Sequence, residues 1–125
     1  MKVAYLKTKS AVILWNLAAI EHEMDMHRSS FKVQRMPVVN LLGLYRLGDV
    51  DWSGVNLGVL PIVAVFSKDK YCVLSGGEQI EKAKMLGFWD INCYVLTPSQ
   101  HKKHILDYSE EAYQCALSEY WGEEE

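Results

Sequence analysis

The residues best placed by type and spacing to do chemistry are Ser75-Gly76-Gly77-Glu78-Gln79, with Lys82 one helical turn further on. Two adjacent glycines let a backbone without side chains approach a bound group closely. If a helix begins directly after them, its first N–H groups can hold an anion such as phosphate. Glu78 is the carboxylate that could act as a general base there, and Lys82 or Lys84 could approach a phosphate from the same helix. The plainer alternatives stay open: a strand-to-helix turn whose glycines only satisfy unusual dihedrals, and a solvated Glu78–Lys82 pair on one helix face.

The other reactive side chains offer less. Cys72, Cys93 and Cys115 are an odd number without C-x-x-C spacing, which suggests neither a disulfide framework nor a zinc site. Cys72 and Cys93 fall in strand-like patterns and read as buried structural thiols, in a reducing, cytoplasmic setting. Among the histidines, only His101 and His104 come close to metal-ligand spacing, and a surface helix explains that pair as well.

The elements that must position the loop follow from hydrophobic patterning. Val59 to Phe66 is an almost unbroken apolar run, as expected of a strand buried on both faces, and Ser67-Lys68-Asp69-Lys70 turns it into a second strand at 71–74. Ile80, Ala83 and Leu86 mark the face of a helix over 78–86 that Gly87 ends, and Ile91, Cys93 and Val95 alternate as a strand over 91–96. Upstream, Ser10 precedes Ile13, Leu17, Ile20 and Met24 at helical spacing, so a helix is expected over 11–27. Phe31, Val33 and Arg35 then alternate as a strand, which Pro37 confines to a sheet edge. Four glycines among apolar residues make 41–58 short or irregular. Thr97-Pro98-Ser99-Gln100 is a capping box opening a helix that reaches about residue 121, with a break and a new cap at Ser109, an end at Gly122 and a frayed acidic tail. The expected fold class is α+β: a mixed sheet packed against helices, in one domain spanning 1–125.

Composition limits the partners. The formal net charge is −3, and residues 1–35 carry 6 Lys and Arg against 3 Asp and Glu while the rest carry 7 against 13. The acidic C-terminal end argues against tight duplex-DNA binding, which depends on phosphate neutralisation. No apolar run is long enough to span a bilayer, and no small-residue cleavage pattern follows the early apolar stretch, so neither membrane insertion nor secretion is expected.

The run from Pro61-Ile62-Val63 through Ser75-Gly76-Gly77-Glu78-Gln79-Ile80 and Ala83-Lys84-Met85-Leu86-Gly87 to Ile91–Leu96 resembles a ParB-like N-terminal domain of the ParB/sulfiredoxin-like superfamily, most clearly over 58–96. The resemblance implies the mixed-sheet fold and a nucleotide pocket formed by Ser75, Gly76, Gly77, Gln79 and Lys82, with a nucleotide and a divalent cation as the cofactors to expect. It departs where the family carries phosphate-gripping arginines, since Gln79 and Ile80 stand there, and where sulfiredoxins carry a catalytic cysteine, since Glu78 stands there. The one or two helices expected over the residues after Leu96 do not match the family's helix-turn-helix region, so DNA partition is not expected. The function expected is a binding or regulatory module with a weakened or repurposed phosphate pocket, the absent arginines tipping the balance against an enzyme without settling it. The alternatives are a nucleotide-dependent enzyme of the same fold using Glu78, or an accessory phage or plasmid protein acting through surfaces, as homo-oligomer or with a protein partner, using Tyr120 and Trp121.

Overall fold

The computed structural model describes residues 2–42, 45, 47–67 and 70–120. It has the expected mixed α+β composition, arranged as two sheets rather than one. Strands β1 (Val3–Lys7), β2 (Val12–Asn16) and β7 (Ile105–Leu106) form an antiparallel sheet in the order β1-β2-β7. Strands β3 (Lys32–Pro37), β4 (Ile62–Ser67), β5 (Lys70–Ser75) and β6 (Asp90–Leu96) form the second in the order β3-β6-β4-β5. In it only the β4–β6 pair is parallel. The helices are α1 (Leu17–Met26), α2 (Gly77–Met85), α3 (Pro98–Lys102) and α4 (Glu110–Tyr120).

The four-stranded sheet is the middle layer. Alternation along β4 sends Ile62, Ala64 and Phe66 into one core, with β1, β2, α1 and α4, and Val63 into a second core beneath α2 with Ile80, Ala83, Cys93 and Val95. The continuous apolar run therefore does mark a strand covered on both faces. It begins at Ile62, not Val59: Pro61 has no N–H for a ladder, and Val59 is exposed. Pro37 ends β3 at the sheet edge as expected. The Ser67↔Lys70 pairing closes the hairpin, whose Lys68-Asp69 tip lies outside the described residues.

Two expected helices are corrected. The first half of 11–27 is β2, and the helix starts at Leu17, where the Asn16 side chain accepts from the Ala19 N–H at 3.0 Å. Ser10 is not its cap. Ile13 and Trp15 alternate with exposed Val12 and Leu14, and β-branched Val12 and Ile13 favour the pairing with β1, a strand that the helical spacing of Ile13 and Leu17 concealed. The second helix, expected over 98–121, is two helices separated by β7, because Ile105 and Leu106 pair with Trp15 and Leu14. The capping box at Thr97 and the break at Ser109, whose hydroxyl accepts from the Ala112 N–H, are as expected. Gly122, Trp121 and the acidic tail lie outside the described residues. In α2 the inward face is Gly77, Ile80 and Ala83; Leu86 is exposed, one residue past the last helical turn. Gly87, at φ 82°, does end the helix. Among the described residues no helix is long and apolar enough to cross a membrane.

His101 is not on a surface. It is fully buried, its Nδ1 accepting from the Trp15 indole N–H at 3.2 Å and its Nε2–H donating to the Val65 carbonyl at 2.9 Å. Burial pushes its pKa down from 6.5 to about 4. The unfolded chain therefore takes up this proton first, and stability present above pH 6.5 is lost as the pH falls toward 4. The loss is worth about 3 kcal/mol. Urea denaturation of the wild type and His101→Gln across this window should show the wild type losing about that much more. Parallel pH profiles would mean that the ring does not titrate on unfolding.

Candidate functional site

The loop between β5 and α2 has its shape fixed by neighbours. Gly76 is the N-cap of α2 at φ 95°, and a Cβ there would stand 2.6 Å from the Pro61 Cα. A Cβ on Gly77 would meet the Tyr45 ring atoms at 2.9 Å. Packing against Pro61 and Tyr45 thus accounts for both glycines, whatever else the loop does. Tyr45 is held in turn by its hydroxyl, which donates to Glu81 Oε1 at 2.7 Å; burial and this carboxylate push its pKa up.

A cavity of about 650 Å³ lies between this loop and the edges of the two sheets, lined by Tyr5, Lys7, Tyr45, Ser75, Glu78 and Tyr120 among others. Hydrogen bonding fixes which main-chain groups face it. Leu17 N–H donates to Lys2 O and Thr8 N–H to Ala11 O, so even-numbered residues of β1 bond to β2 and the N–H and C=O of Val3, Tyr5 and Lys7 turn outward. On the other side, the Tyr94 N–H bond to Pro61 O commits odd-numbered residues of β4 to β6. Ala64 then bonds to Cys72, and the main chain of Val73 turns away from β4, on the cavity side. At the end of the slot stands the N-terminus of α2, whose first N–H groups have no partner within the helix and no side-chain cap from Gly76.

The expected site residues divide into two groups. Ser75, Gly76, Gly77 and Glu78 line the cavity. Gln79 and Lys82 turn to the segment before β4: the Gln79 amide reaches Asn56 O at 3.4 Å, and Lys82 Nζ donates to Trp52 O at 3.0 Å and Val55 O at 2.9 Å. The solvated Glu78–Lys82 pair is therefore not formed, because two backbone carbonyls satisfy the ammonium better than one exposed carboxylate. Sequence reasoning missed Tyr5 and Lys7; the alternation of Val3, Tyr5 and Lys7 with Ala4 and Leu6 was the signal for the strand that carries them. Cys72 and Cys93 are buried, which pushes each thiol up to about 12 and leaves neither as a nucleophile at neutral pH. His104 Nε2 lies 2.6 Å from Glu23, away from the cavity, and no cluster of three or more metal-ligating side chains occurs among the described residues.

No protein-family model matches the chain, and neither a curated protein nor a solved structure does.

Two alanine substitutions separate the steric role of the loop from its backbone strain. Gly87→Ala, at positive φ in open space, should cost about 1 kcal/mol, the price of the left-handed conformation alone. Gly76→Ala adds the overlap with Pro61 and should cost about 3 kcal/mol. Equal shifts in thermal midpoint would mean that Pro61 yields without cost.

Proposed function

We propose that this chain is a ligand-binding module of ParB/sulfiredoxin-like type, whose pocket takes a small phosphorylated molecule of the nucleotide class. The observation that carries the reading is the uncapped N-terminus of α2 opening into a cavity that also holds a lysine and three tyrosines. Helix N–H groups and Lys7 would receive phosphate oxygens. The rings of Tyr5, Tyr45 or Tyr120 offer faces on which a base can stack. The chain order supports the family reading: hairpin β4-β5, then α2, then β6 returning parallel to β4, with Ser75-Gly76-Gly77 at the β5–α2 junction.

The departures set the strength of binding. Ile80, at one position where the family has an arginine, is fully buried on the inward face of α2, and Gln79, at the other, reaches toward Asn56. Neither supplies a charge. Glu78 stands at the cavity as a carboxylate beside the place a phosphate would occupy, so a monophosphate is favoured over a triphosphate. A binding role fits this arrangement better than phosphoryl transfer, because Glu78 is solvated and nothing among the described residues orients it as a base.

Isothermal titration with AMP, CMP, GMP and their triphosphates, with and without magnesium, tests this. Monophosphate binding should be seen at about 0.1–1 mM, weakened about tenfold by Lys7→Glu and tightened several-fold by Glu78→Gln. Flat titrations for all forms would overturn the proposal; binding unchanged by both substitutions would place the ligand outside this cavity.

A further inference from the structure

The other edge of the middle sheet carries a second arrangement, far in the strand order from the cavity. Among the described residues strand β3 pairs only with β6. Val38 N–H donates to Trp89 O at 2.8 Å, and the register sets Met36 opposite Ile91 and Gln34 opposite Cys93, so even-numbered residues of β3 hydrogen-bond to β6. The N–H and C=O of Val33 and Arg35 therefore point outward from the sheet. Pro37, which has no N–H, falls at the same outward parity, where the ladder loses nothing.

Three further features sit on this edge. Val33 is half exposed, and Lys32 and Arg35 are exposed cations without an ion pair among the described residues, in a chain of net charge −3. Arg35 shares a depression of about 290 Å³ with Phe88, Trp89 and the exposed Asp90, whose carboxylate belongs to β6 and has no ion pair to Arg35. Trp89 is 87% exposed and Phe88 51%, an unusual display for two large aromatic side chains side by side.

We infer that β3 is a docking edge for an extended acidic segment of another protein, which adds a strand through Val33 and Arg35, sets carboxylates against Lys32 and Arg35, and covers Trp89 with an apolar side chain. Charge selects this occupant. A second copy of the chain, pairing antiparallel through the same two residues, would place Arg35 opposite Val33 and diagonal to the other Arg35, at about 7 Å. That repulsion opposes self-pairing, while Pro37 shortens the edge available to it. A partner that brings carboxylates neutralises both cations instead.

The test uses two blocked peptides, of repeat Val-Val-Glu and Val-Val-Lys, whose charges fall three residues apart, as Lys32 and Arg35 do, and so on both faces of an added strand, titrated into the ¹⁵N-labelled protein at low salt. In the free protein the Val33 and Arg35 amides should exchange fast and those of Gln34 and Met36 slowly. The glutamate peptide should slow exchange at Val33 and Arg35, shift Trp89 emission to the blue and bind on the order of tenfold tighter than the lysine peptide. Arg35→Glu should reverse that preference. Val33→Pro, which removes an outward N–H and leaves the ladder to β6 intact, should abolish binding without lowering the melting temperature. Equal binding of the two peptides, protection that spares Val33 and Arg35, no binding at millimolar peptide, or concentration-dependent dimerisation that Val33→Pro prevents would each overturn the inference.

Discussion

The arrangement of the two sheets depends on one buried imidazole. His101 accepts a hydrogen bond from the Trp15 indole N–H in β2 and donates one to the Val65 carbonyl in β4, so a single ring hydrogen-bonds to both sheets at once. Phe66 and Trp15 pack against it, at ring-centroid distances of 5.0 and 5.9 Å. A buried ring with both nitrogens satisfied is stable only in one tautomer and one orientation, and so it specifies position as well as adding energy. The cavity lies between β1, which is registered to β2, and β5, which is registered to β4. The spacing of its walls is thus set at a point outside it, in the core.

Much of the middle sheet was legible because its signals are local. The apolar run of β4, the hairpin, the alternation of β6 and the capping box at Thr97 each act within a few residues, where propensity, turn chemistry and burial agree. The outer sheet was not: β1–β2 is a local hairpin hidden by the helical spacing that runs on from Ile13 into α1, and the β2–β7 pairing is long-range. Within Val12–Asn16 the strand signal, β-branched Val12 and Ile13, is too short to outweigh the helical spacing of Ile13, Leu17 and Ile20 until β1 is seen beside it. Ile105 and Leu106 are a strand only because Trp15 and Leu14 lie opposite.

The site was legible to the same extent. The glycine loop could be located, since a glycine pair between a strand and a helix is a local pattern, and four of its residues do meet at one cavity. The opposite wall could not, because Tyr5 and Lys7 arrive on a strand that was not recognised. Lys82 shows the remaining difficulty. Helical spacing put it near Glu78, but the side chain is long enough to find the carbonyls of Trp52 and Val55, and a chain segment thirty residues away in sequence decided its role.

The pairing of Leu14 with Leu106 bears on the order in which the molecule can assemble. The hairpin β4-β5, helix α2 and strand β6 lie within 35 consecutive residues, from Ile62 to Leu96, and their contacts close short loops. The β2–β7 ladder closes one of about ninety, with a correspondingly larger loss of chain entropy before any contact rewards it. During synthesis the middle sheet can form while β7 is still unmade, whereas His101 and β7 emerge together after it. The wall carrying Gly76 and Gly77 is then a product of early folding, and the wall carrying Lys7 becomes fixed against it only when the segment with His101 and β7 docks. A chain arrested at that stage would display β5 as an open strand edge, the state in which it is most exposed to aggregation.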